Sequence, residues 1–134
     1  MQIVLQMPQT LICKMDDVKV DFIRFNYPFI RPVINMEGIR ILSIEDIAPM
    51  KLDAITGRGS KKDFFYLYFL LQKFGIEKLL SLYQEKYPHQ TTFHVVRSLT
   101  YFADAEAEPD PMVIDHSVTW EKVKNSIRKV IRKI

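Results

Sequence analysis

Between Ser43 and Leu71 the chain reads SIEDIAPMKLDAITGRGSKKDFFYLYFLL, two helix-forming runs joined by a short glycine-bearing link. This stretch commits the middle of the chain to two helices that meet at one place. Ser43 is a candidate N-cap with Asp46 three residues on. Ile44, Ile47, Ala48, Leu52 and Ile55 then recur near helical spacing and define one apolar face. Lys51 falls inside that stripe, four residues after Ile47 and four before Ile55. A lysine there either snorkels to the rim or meets a specific anion. Pro49 leaves two readings: a kink in a helix that starts after Ser43, or a separate turn over 44–47 followed by a helix starting near the proline.

Gly57 and Gly59 flank Arg58 and permit a tight turn. Ser60 is placed to cap the next helix with Asp63 at its N3 position. The run from Phe64 to Leu71 is apolar nearly all round, which predicts a central, buried helix. The junction gathers Lys51, Arg58, Lys61, Lys62 and Asp63 near one helix N-terminus, an end that favours anions. The plainer alternative has Lys51 snorkelling, Asp63 only capping and the other cations solvated.

Upstream, Ile3-Val4-Leu5, Thr10 to Cys13 and Val18 to Phe25 read as strands, with Asp16-Asp17 as a turn. In the third strand Val18, Val20 and Phe22 share one face and Lys19, Asp21 and Ile23 the other. Asp21 is a carboxylate in mid-strand, where aspartate is depleted. Its face is either solvated or placed for metal or nucleotide chemistry. Residues 26–38 hold Pro28, Pro32 and Gly38 and read as a connection, and Ile39 to Leu42 as a short strand or extended lead-in.

After Gly75, a helix stop, the expected elements are an amphipathic helix on Ile76, Leu79, Leu80 and Tyr83, then one capped by Thr91 or Thr92 with Phe93, Val96, Leu99 and Phe102 on its face. His94 reads as a half-exposed helix residue, because no second His or Cys stands at ligand spacing. Asp104, Glu106, Glu108 and Asp110 read as a solvated loop. A last helix from about Val118 has Trp120, Val123, Ile127, Val130, Ile131 and Ile134 on its apolar side, and Lys122, Lys124, Arg128, Lys129, Arg132 and Lys133 elsewhere. That basic surface is either a solvated face or a contact for an RNA backbone.

Strands followed by helices make an α+β protein, read as one domain: a β-rich part over 1–42 and a helical bundle over 43–134. With 134 residues, 48% of them hydrophobic, there is chain enough for a real core. A net charge of +3 is compatible with nucleotide or nucleic-acid partners without requiring them. Cys13 stands alone, so no intrachain disulfide forms, and no apolar run reaches membrane-spanning length. A cytoplasmic location is the expectation.

The pattern VKVDF at 18–22, EDIAPMKLDAITGRGSKKDFF at 45–65 with LYFLL after it, YFADAE at 101–106 and the Trp120-bearing last helix resemble the AbiEii-type nucleotidyltransferases. These are the toxin components of bacterial abortive-infection and toxin–antitoxin systems. The resemblance implies a nucleotidyltransferase-like fold that moves a nucleotide from an NTP to an acceptor such as tRNA, with Mg²⁺ and a cognate antitoxin. It gives Asp21 the place of the third carboxylate of the site and a weak metal ligand. Lys51 takes the place of the triphosphate-holding lysine and Asp63 that of the acid of the last motif. Arg58 and Lys62 would be supporting phosphate contacts. Tyr66 departs from the aspartate often found at its place. The family's upstream Gly-Gly-Thr/Ser and Asp-x-Asp elements have no counterpart, since no glycine precedes Gly38 and no Asp-x-Asp occurs. The expectation is a C-terminal portion: inactive alone, completed by another chain as half of a split enzyme, or a non-catalytic nucleotide- or RNA-binding module. An apolar sheet face left bare would favour self-association.

Overall fold

Two-residue turns organise the first part of the chain. The computed structural model describes residues 2–23 and 27–134. Strands β1 (Gln2–Met7), β2 (Thr10–Met15) and β3 (Val18–Ile23) form an antiparallel meander in that order. Asp16 and Asp17 both have positive φ, 51° and 65°, the geometry of a tight hairpin turn whose twist matches its strands. The expected extension of the third strand to Arg24 and Phe25 lies outside the described residues. Strands β4 (Ile34–Met36) and β5 (Ile39–Ile41) make a second hairpin. Only the second of these was expected, since three-residue strands around Glu37-Gly38 carry little pattern. Glu37 and Gly38 again both have positive φ, and the Gly38 N–H donates to the Asn35 side chain at 3.1 Å.

The helices are α1 (Ile44–Arg58), α2 (Lys61–Phe74), α3 (Ile76–Lys86), α4 (Phe93–Ser98) and α5 (Trp120–Ile131). The protein is thus α+β, a small antiparallel meander and a hairpin followed by helices. Helix α1 is continuous through Pro49, so no separate turn precedes it. The proline lacks the N–H that would bond to the Glu45 carbonyl. Both expected caps form. Ser43 Oγ accepts from the Asp46 N–H, and Ser60 and Asp63 complete a reciprocal capping box.

The core lies among the helices, in a buried cluster running from Ala48 to Ile127. Helix α1 packs on α2, α3 and α4, and α2 also packs on α3 and α5. Phe64 is at its aromatic centre, edge-on to Phe102 at 5.0 Å between ring centroids and 5.9 Å from Trp120. Two helices differ from the apolar counts. On α2 the aromatic run is not buried all round: Tyr66 and Phe69 are exposed on a stripe with Lys62 and Lys73, at helical spacing. Helix α4 has only six residues and no side-chain cap, and it buries Val95 while leaving Phe93 outside. The sheet contrasts with all this. Cys13 is its one fully buried apolar residue among those described, while Ile3, Val4, Leu5, Met15, Val18 and Phe22 are exposed.

A buried ion pair joins the parts. Asp46 in the first turn of α1 and Lys86 in the last turn of α3 are both fully inaccessible, with Nζ 2.6 Å from Oδ1. Asp46 also accepts from the Ile30 and Arg31 N–H groups at 2.8 and 3.0 Å and from the Ser43 hydroxyl at 2.8 Å. Lys86 donates further to the Pro28 carbonyl at 3.1 Å. The proline-rich connection is therefore fastened to α1 and α3 by charge-assisted bonds. Burial by itself would raise the Asp46 carboxyl, but Lys86, the two amides and Ser43 outweigh it and hold it at about 2, against an ordinary 3.8. A lowered folded value means a contribution that is complete above about pH 4 and lost as the pH falls toward 2. Its size is about 2 kcal/mol. Urea denaturation at pH 5, 4 and 3 should show that decline. Asp46→Asn should be less stable at pH 5 and show a shallower decline.

Candidate functional site

The α1–α2 link places the expected residues. Gly59 is tight against the core, because a Cβ there would lie 2.8 Å from the Phe64 ring. Capping by Ser60 then turns Asp63 back toward α1. Its two carboxylate oxygens divide the work. Oδ2 accepts from the Ser60 N–H at 3.2 Å and the Ser60 hydroxyl at 2.7 Å, and Oδ1 lies 3.7 Å from Lys51 Nζ. Lys51 is half-buried, and its ammonium stands 5.1 Å from the centroid of the Tyr66 ring. The two alternatives for Lys51 thus meet: the lysine reaches the rim and also has an acidic neighbour.

That neighbour does not saturate it. An ammonium has three donors, and 3.7 Å is longer than a hydrogen bond. Lys51 is a point charge aimed over an aromatic ring, oriented by Asp63 and open on one side. Such an arrangement can hold a phosphate oxygen.

The α2 N-terminus is differently used than the sequence suggests. The chain's own acids take the Ser60 and Lys61 N–H groups there. Glu108 accepts from the Lys61 N–H at 2.6 Å, and the Lys61 ammonium, buried against Trp120, bonds Asp110 at 3.1 Å. Glu106 accepts from Trp120 Nε1 at 3.0 Å and from Lys124 Nζ at 2.8 Å. These bonds, that to Lys124 foremost, lower the Glu106 carboxyl, and Glu106 in turn raises Lys124. The acidic run is a loop with its four acids exposed, as expected, but Glu106, Glu108 and Asp110 also strap it to α2 and α5. Lys124 is buried and does not belong to the basic outer face. Lys62 remains exposed beside this strap.

Asp21 and Arg58 go elsewhere. Asp21 pairs across the sheet with Ile12, on the face opposite Val20 and Phe22 as its alternation predicts. Its carboxylate lies 3.6 Å from Lys19 Nζ, both side chains are exposed, and no bond or ion pair links it to Lys51 or Asp63. Arg58 lines a separate cleft with residues of α4. Mg²⁺ wants near-octahedral oxygen ligands, and among the described residues no three His, Cys, Asp or Glu side chains gather to hold a metal. Asp21 offers one carboxylate already facing a lysine.

The pairs that join distant parts were invisible to spacing arguments. Asp46 looked like part of a cap, and nothing in the sequence singled out Lys86. Asp110 and Glu108 looked like members of a charge run. The chain there runs through successive turns, with the Ala105 and Glu106 N–H groups on the Phe102 carbonyl, so no periodicity marks which acids face α2 and α5.

Among the described residues no helix is long and apolar enough to cross a membrane. No protein-family model matches the chain, and no solved structure matches it. A protein of Aquifex aeolicus (strain VF5), aq_aa25, described as uncharacterized, is 37% identical over 131 residues. The match takes in 95% of this chain and 62% of that protein. The chain is thus similar, through its strands and its helices alike, to a part of a longer protein.

Proposed function

We propose that this chain is the nucleotide-holding portion of a nucleotidyltransferase of the abortive-infection toxin kind, acting on an NTP and an acceptor such as tRNA. The observation that carries the reading is the Lys51–Asp63 pair. Two residues twelve apart, singled out by the resemblance, stand 3.7 Å apart at the α1–α2 junction with the ammonium still open. In this reading Lys51 holds a triphosphate oxygen and Asp63 positions Lys51 while capping α2. The Tyr66 ring forms the floor and Lys62 adds a second positive charge. The metal-binding carboxylates and the transfer step would come from a complementing chain, with a cognate antitoxin as a further partner. The isolation of Asp21 from Lys51 favours one other reading, a module in which nucleotide is bound but not transferred.

Mapping by NMR tests the site. Titrating ATP into ¹⁵N-labelled protein should shift amides between 51 and 66 most. Shifts confined to α5, or none at all, would contradict it. The exposed sheet residues are the surface that a second copy or a complementing chain would cover. Light scattering should therefore show mass growing with concentration, and a constant monomer mass would count against that partner surface.

A further inference from the structure

Arg58 is seven residues after Lys51 on α1, close to two full turns, so the two side chains leave the same face about 10 Å apart along the axis. It does not reach the Lys51–Asp63 pair. It lines a cleft of about 290 Å³ between the end of α1, helix α4 and the turn after it, together with His94, Arg97, Ser98, Tyr101 and Asp104. Among the described residues neither arginine has a hydrogen-bond or ion-pair partner. The buried and half-buried lysines here are matched, Lys51 to Asp63, Lys61 to Asp110, Lys86 to Asp46 and Lys124 to Glu106, whereas Arg58 and Arg97 are exposed and open to a ligand. Two guanidinium groups left unmatched in one concavity present two planar forks suited to phosphate oxygens. Against the two arginines, Asp104 leaves one net positive charge, which balances one phosphodiester. Tyr101 is 59% exposed at the cleft wall, a ring face available for stacking.

We propose that this cleft binds the backbone of single-stranded RNA, with Arg58 and Arg97 on one phosphodiester and a base on Tyr101. It rests on the proposed function only in calling that strand the acceptor, whose end would then lie along α1 toward Lys51. The His94 imidazole and the Ser98 hydroxyl, which itself donates to the His94 carbonyl at 2.7 Å, add polar contacts at the edge.

The test is fluorescence anisotropy of a 5′-fluorescein-labelled single-stranded oligouridylate with the full chain and no nucleotide. Arg97→Gln should weaken binding about tenfold, since it removes a charged hydrogen-bonding partner. It should also reduce the slope of log affinity against log salt by roughly 0.7. Tyr101→Ala should weaken binding about tenfold with the salt slope unchanged. Both side chains are exposed, so thermal melting should match wild type. Lys129→Gln on the outer face of α5 should leave the affinity unchanged. The proposal is overturned if Arg97→Gln and Tyr101→Ala bind like wild type, if Lys129→Gln takes the affinity instead, or if millimolar inorganic phosphate alone displaces the strand. Lys51→Ala should leave oligouridylate binding within about twofold. A failure of nucleotide binding at Lys51 is therefore separate from a failure here.

Discussion

Lys86→Met is expected to lower the stability of the protein by about 3 kcal/mol at pH 7, the lower end of the range for breaking a buried ion pair. The methionine fills most of the lysine's volume, so the loss is chiefly electrostatic. Asp46 would keep the Ile30 and Arg31 amides and the Ser43 hydroxyl but lose its counter-charge in a site with no access to water. The Pro28 carbonyl would lose its lysine donor as well. Asp46→Ala is expected to cost more, about 4–5 kcal/mol, because it takes the counter-charge from the buried ammonium and the acceptor from two amides together. Urea denaturation measures both. A Lys86→Met protein as stable as wild type would mean that the pair contributes nothing to fastening residues 28–31 onto α1 and α3.

Phe64→Ala is expected to cost about 3–5 kcal/mol through the lost transfer energy and the cavity left behind. Phe64 is fully buried, and it is the ring on which Gly59, Phe102 and Trp120 converge. Collapse around the cavity is restricted, because Trp120 is held at its indole nitrogen by Glu106. The near-UV circular dichroism of Trp120 should weaken in parallel. Two residues away on the same helix, Tyr66→Ala should change stability by less than about 0.5 kcal/mol, since that ring is on the exposed stripe. Equal losses for the two variants would contradict the facing of α2 described above.

The helical half was legible because its signals are local. Ser43 with Asp46 and Ser60 with Asp63 are complete N-terminal signatures within four residues, and both form. That Lys51 and Asp63 gather near the link between two capped helices was one of two readings the sequence left open, and the structure brings the two charges to 3.7 Å. What could not be read was set by contacts between distant segments. Asp46 meets Lys86 forty residues later, and Lys61 meets Asp110 forty-nine residues later. Nothing in periodicity distinguishes such partners from solvated charges. The exposed Tyr66 and Phe69 escaped for a related reason: an all-apolar run does not reveal which face lacks a neighbour, and here α1, α3 and α5 cover only part of α2. The Arg58 cleft needed residues 94–104 folded back against the end of α1, a placement that no motif in either segment encodes.

The central claim is that Lys51 still holds a triphosphate, and calorimetric titration of the folded chain with ATP, run beside Lys51→Ala, tests it most directly. Lys51 is half-exposed and its ion pair is worth no more than about 1 kcal/mol, so the variant should fold normally. The account predicts measurable binding to wild type and a loss of about tenfold or more in Lys51→Ala, as for removal of a charged hydrogen-bond donor. Equal affinities for the two proteins, or no heat of binding to folded wild type, would contradict it.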